Sequence, residues 1–194
     1  MRVKICGITR PEDARIAEKA GADAIGVVMF SDSPREVDVA TAASIFRAAG
    51  PFMGRVCVSH TGSPDDLSRM LDLNPTAVQI SSPLAVPKER TFQVIRVIEP
   101  GDGIPEDADA LIIDASRGSG RLYDQSYVSD VMNSTSLPVI LAGGLTPENV
   151  RKAIRSIRPY AVDVASGVES APGIKEQTKV FEFVKRAKET EYET

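Results

Sequence analysis

Residues 138–167 read PVILAGGLTPENVRKAIRSIRPYAVDVASG, and this stretch decides the fold. Two short apolar runs, 138–142 and 160–165, each end on small residues and glycine. Between them Thr146-Pro147-Glu148-Asn149 predicts a helix start. Threonine caps it, and proline takes the first helical position, where a missing N–H costs nothing. The order is strand, glycine turn, helix, strand, glycine turn. Parallel strands need a crossover of this kind, usually a helix laid over the sheet.

The same alternation extends in both directions. The spacing predicts strands at 3–6, 24–30, 55–58, 77–80, 93–98 and 111–114. Helices are expected at 12–20, 39–49, 63–73, 124–134 and 175–188. Pro11 opens the first helix and Gly21 closes it, as proline and glycine commonly do. In the last helix Val180, Phe183, Val184 and Ala187 share one face at helical spacing. Residues 99–109 break the rule, because Pro100, Gly101, Gly103 and Pro105 cannot sustain a helix. Eight strands in this order predict an α/β fold: a minimal (β/α)8 TIM barrel, a single domain over residues 1–194, with the helix between strands 5 and 6 missing. An open doubly wound sheet is the competing architecture, but no GxGxxG follows the first strand.

Composition narrows the function. The net charge is −4 and no Lys/Arg-rich block is present, so no basic face is available for a nucleic acid. No run of about 18 apolar residues predicts a membrane span, and the N-terminus lacks the apolar core of a signal peptide. Cys6 and Cys57 form no metal-ligand spacing and no CxxC motif. They read as free thiols of a reducing cytoplasm. A single histidine makes a His-rich metal site unexpected.

In a barrel, chemistry gathers at the C-terminal ends of the strands. Gly143-Gly144 follow strand 7 and Ser166-Gly167 follow strand 8, where barrels often seat a substrate phosphate on backbone N–H groups. Either pair alone also reads as a plain turn. Cys6 ends strand 1. A strand cysteine is most often core, but at the barrel mouth its thiolate can act as a base. Lys4, two residues earlier, points to the same face and favours that thiolate. Asp114 ends strand 6 and reads either as a general acid or as a loop anchor. Arg35 follows strand 2 and offers a fork for a carboxylate, or is simply exposed. His60 is an acid–base candidate by its intrinsic pKa, but its neighbours Thr61-Gly62 favour an exposed turn. Cys57 reads as core, and Asp163 as a structural partner for an interior lysine such as Lys4. Residues 116–121 suit a lid or a surface loop.

Taken together, these segments resemble the phosphoribosylanthranilate isomerase family. Lys4-Ile5-Cys6-Gly7-Ile8-Thr9, Ser33-Pro34-Arg35, the run from Leu141 to Val150 and Val162-Asp163-Val164-Ala165-Ser166-Gly167-Val168-Glu169 carry the likeness, in order along nearly the whole chain. The resemblance implies a (β/α)8 barrel whose fifth helix is often absent. It implies an Amadori rearrangement of N-(5-phosphoribosyl)anthranilate, with no metal or organic cofactor. Cys6 would be the general base at ribose C2 and Asp114 the general acid at the ring oxygen. Arg35 would bind the anthranilate carboxylate. Gly143, Gly144, Ser166 and Gly167, with the loop Gly118-Ser119-Gly120, would cradle the phosphate. The chain departs from the family where strand 4 ends on Ser81-Ser82 instead of a histidine, and in a shorter loop after strand 6. The expected partner is a small phosphorylated substrate, with neither nucleic acid nor membrane, and the chain is expected to be a monomer or homodimer. The histidine-pathway isomerases perform the analogous rearrangement but end strand 1 on aspartate. A non-catalytic phosphate sensor on a degenerate barrel is the reading from a different class.

Overall fold

A computed structural model describes residues 1–114 and 125–190. Eight parallel strands close into a barrel in chain order: β1 Arg2–Ile5, β2 Ala24–Val28, β3 Gly54–Ser59, β4 Ala77–Ile80, β5 Gln93–Ile98, β6 Ala110–Asp114, β7 Val139–Ala142 and β8 Ala161–Val164. β1 closes the ring against β8, with Lys4 opposite Asp163 and Ile5 opposite Val164. The helices among the described residues are α1 Pro11–Ala20, α2 Val39–Ala48, α3 Pro64–Leu71, α4 Gln125–Ser134, α5 Val150–Ile157 and α6 Gln177–Lys188.

Strand period 2 divides the apolar residues into two sets. Outward side chains such as Ile5, Ile25, Val27, Cys57, Val78, Leu111, Leu141 and Val162 pack under the helices. Inward ones stack in layers of four from alternate strands. The lowest layer is Ala24, Ala77, Ala110 and Ala161. The register then stacks Lys4 with Val56, Ile95 and Ile140, and above them Gly26, Gln79, Ile112 and Asp163. Cys6, Val58, Val97 and Ala142 form the layer beneath the mouth.

Local signals explain most helix ends. Pro11 begins α1, and Gly21 ends it at φ 88°, donating back to Ala17 and Glu18. Asp38 caps α2 and Ser63 caps α3 through their side chains. Thr146 caps the turn that leads into α5, as expected, but the start of the helix is corrected. Residues 147–149 form turns and the helix begins at Val150. Asn149 takes control of that turn: its Oδ1 accepts from Thr146 N at 2.8 Å and its Nδ2 donates to Gly144 O at 2.8 Å. Thr146 Oγ1 accepts in return from Glu148 N at 3.2 Å, the bond expected of a capping threonine.

Two crossovers, not one, lack a helix. Residues 99–109 are irregular as expected, and so are residues 81–92 between β4 and β5, where Pro83 and Pro87 interrupt the chain. Arg96 compensates on the outer face of β5. It is 6% exposed and donates to Ser82 O at 2.7 Å, Leu84 O at 2.6 Å and Asp107 Oδ1 at 3.0 Å. One guanidinium thus ties both irregular crossovers to the strand. A second unforeseen feature follows β8. A 3-10 turn, Ser166–Val168, leads into the hairpin β9 Glu169–Ala171 and β10 Ile174–Lys175. The expected last helix therefore starts later, at Gln177.

Candidate active site

The mouth of the barrel holds two adjoining pockets. One, of about 200 Å³, is lined by Cys6, Gly7, Arg35, His60, Gln79 and Asp114, among others. The other, of about 180 Å³, is lined by Gly143, Gly144, Leu145, Ser166 and Gly167, again with Arg35 and Asp114. Arg35 and Asp114 therefore stand where the two meet. The proposed phosphate residues Gly118, Ser119 and Gly120 lie outside the described residues.

The second pocket is shaped by its glycines. Gly143 and Gly144 adopt φ 89° and 63°, a region that only glycine enters cheaply. A Cβ on Gly167 would fall 1.9 Å from Leu145 O, so the turns after β7 and β8 touch only because position 167 has no side chain. Narrow, side-chain-free walls of this kind let backbone N–H groups reach an anion.

The first pocket is built on charge. Lys4 is buried, and its Nζ donates to Asp163 Oδ1 and Gln79 Oε1, each at 2.9 Å. Burial opposes the Lys4 charge, but Asp163 and Cys6 outweigh it and hold its pKa above the ordinary lysine value. Room for this cation comes from Gly26, where a Cβ would lie 2.8 Å from Cys6 Sγ and 3.0 Å from Lys4 Cε. Cys6 is itself 7% exposed. Burial pushes its thiol up, Lys4 and Lys175 pull it down, and burial wins. Lys4 therefore acts toward the thiolate, but burial keeps the thiol above its usual range. Cys57, on the outer face of β3, is also buried, and burial pushes its thiol up to about 12.

Arg35 does not offer its fork to solvent. Its Nε and Nη2 donate to Glu169 Oε1 and Oε2 at 2.8 and 2.7 Å. Its stem crosses Gly7, whose φ is 69° and where a Cβ would meet Arg35 Cδ at 2.5 Å. Glu169 also accepts from Lys175 Nζ at 2.8 Å. His60 is exposed, as its neighbours suggested, but it also lines the pocket and pairs its Nδ1 with Ser81 Oγ. The mouth that lacks a histidine on β4 thus receives one from β3. Gln79, Glu169 and Lys175 carried no functional signal in isolation. Glu169 lay inside a quoted motif, and strand parity is the signal that would have placed Gln79 inside the barrel.

The chain matches the family model described as N-(5'-phosphoribosyl)anthranilate isomerase over residues 3–186. The chain belongs to this family. Among its relatives, the N-(5'-phosphoribosyl)anthranilate isomerase of Methanoregula boonei is 55% identical, with the whole of both chains covered. That of Haloarcula marismortui is 40% identical, over 97% of this chain and 96% of its own. The crystal structure of the Thermus thermophilus family member superposes with a TM-score of 0.82 at 37% identity, covering 96% of this chain and 98% of that one. A family structure in complex with reduced 1-(o-carboxyphenylamino)-1-deoxyribulose 5-phosphate superposes with a TM-score of 0.79 at 32% identity, covering 97% and 98%. The family barrel and the closed sheet described above agree.

Proposed function

We propose that Cys6 and Asp114 are the base and acid of the family reaction, the isomerisation of N-(5'-phosphoribosyl)anthranilate in tryptophan biosynthesis. The chain is an aldose–ketose isomerase of that pathway. The observation that carries the residue assignment is geometric. Cys6, just after β1, and Asp114, at the end of β6, line one pocket from separate parts of the ring, and a glycine-walled pocket adjoins it.

The chemistry needs two proton transfers. Asp114 gives a proton to the ribose ring oxygen as the C1–O bond breaks and the nitrogen lone pair forms the C1–N double bond. The Cys6 thiolate then takes the proton from C2. The resulting enolamine tautomerises to the 2-ketose, so atoms and electrons balance without an oxidant. Lys4, held by Asp163 and Gln79, stabilises the thiolate as it forms. Gly143, Gly144, Ser166 and Gly167, with Gly118, Ser119 and Gly120, receive the phosphate, and Arg35 receives the anthranilate carboxylate. No helix among the described residues is long and apolar enough to cross a membrane. We expect a cytoplasmic enzyme, monomeric or homodimeric; the Thermotoga maritima relative is described as dimeric.

Loss of phosphoribosylanthranilate fluorescence tests the assignment. Cys6→Ser and Asp114→Asn, each folded, should lower kcat by about a hundredfold or more, the usual worth of a positioned acid or base. A folded Cys6→Ser variant with wild-type kcat would remove the thiol from the mechanism.

A further inference from the structure

Glu169 is a buried carboxylate with no place in the proton transfers, yet it reaches the site through Arg35. Its side chain is 5% exposed and sits between two cations. One is Arg35, bound through Nε and Nη2. The other is Lys175, whose side chain is fully buried and which also donates to Ala165 O at 3.1 Å. Glu169 opens β9 and pairs in register with Lys175 of β10. That hairpin is anchored to the loop after β1 and to α1: Thr9 Oγ1 donates to Gly173 O, and Lys175 N donates to Asp13 Oδ2 at 3.3 Å. The Glu169 carboxylate therefore has little freedom to move.

Burying three charged groups together is costly and seldom raises stability over an apolar packing. The arrangement does accomplish something else. Arginine on a surface loop has many rotamers, and freezing them on binding costs affinity. Here the stem of Arg35 is already laid across Gly7, and two of its nitrogens are already engaged. What remains for a ligand is the Nη1 edge and the flat guanidinium face. Both belong to a group that lines the two pockets at once.

We propose that Glu169 is a positioning residue: it locks Arg35 so that the substrate carboxylate is received at a fixed distance from the phosphate cradle, and Lys175 holds Glu169 in place. The inference rests on the reading of Arg35 as the carboxylate partner. It makes Glu169 a determinant of specificity for substrates with an anion at each end.

A double-mutant cycle separates the two claims. Steady-state kinetics are measured for Glu169→Gln, Arg35→Met and the double variant, with equilibrium binding of the reduced product analogue named above. Glu169→Gln should raise KM and the analogue Kd by about tenfold while leaving kcat within about threefold, the pattern of lost binding. In the Arg35→Met background the second substitution should add nothing, since groups acting as one unit are non-additive. Additive effects, or an unchanged KM in folded Glu169→Gln, would overturn the proposal. An unchanged KM in Arg35→Met would overturn the Arg35 reading and the inference with it. Should Glu169→Gln fail to fold, Glu169→Asp, which keeps the charge but is one methylene shorter, replaces it. A wild-type KM in that variant counts against the proposal, and a raised one supports it.

Discussion

From β8 through β1 to β2 the barrel is backed by α6, α1 and α2, which pack on one another, whereas β4 and β5 are followed by loops with no helix at all. The charges on the two sides follow that division. On the helix-backed side Lys4, Asp163, Arg35, Glu169 and Lys175 point toward or beneath the mouth. On the other side the buried guanidinium, Arg96, points outward and fastens two crossovers. Regular helices hold the strands well enough for the barrel interior to carry ions. Where helices are missing, an ion pair on the outer face does the holding.

This contrast can be broken first at Gly26. Gly26→Ala would place a methyl against Cys6 Sγ and Lys4 Cε, and both would have to shift. We expect kcat to fall by about a hundredfold, since small displacements of reacting groups cost that much. Stability should drop by about 1–3 kcal/mol through overpacking. Wild-type kcat in this variant would show that the position of the thiol is not critical. The opposite side should respond in the opposite way. Arg96→Met should destabilise by about 2 kcal/mol, less than for a fully enclosed pair because Asp107 is 36% exposed. The kcat of the folded fraction should stay near wild type. A large loss of kcat with little loss of stability would mean that the irregular loops belong to the chemistry.

The smallest effect concerns pH. Burial holds the Cys6 thiol above its ordinary range, so kcat/KM should climb as pH rises through neutrality and beyond. Removing Lys4 and Asp163 together, as Lys4→Met with Asp163→Asn, leaves neither charge stranded. It deletes the Lys4 charge and hydrogen bond that pull the thiol down, and with them the smaller upward push of Asp163. The rising limb should move to higher pH. An unmoved limb would place the titration elsewhere.

Much of the helix-backed side was legible because its signals are local. Strand, glycine and cap follow one another within a few residues, and barrel topology alone assigns Cys6, Asp114, Gly143-Gly144 and Ser166-Gly167 to one end. Strand parity also put Lys4 and Asp163 inside. The Arg35–Glu169 pair was not legible as a contact, since 134 residues separate its members and a hairpin that no periodicity announces brings them together. The missing helix after β4 had its sign in Pro83 and Pro87, but in a short segment that sign is weaker than the Pro/Gly cluster at 100–105. Thr146 was legible as a cap, but not the later start of α5, because Asn149, able to accept and donate at once, holds residues 147–149 in turns.

A thiol used as a base is also a target for oxidants, which attack the thiolate and need access to it. At rest Cys6 is enclosed and held above the normal thiol range, so it presents little thiolate to peroxide. Cys57 is sealed under α3, its Sγ 3.8 Å from Met70 O. With neither sulfhydryl exposed, peroxide should modify both slowly for as long as the chain stays folded.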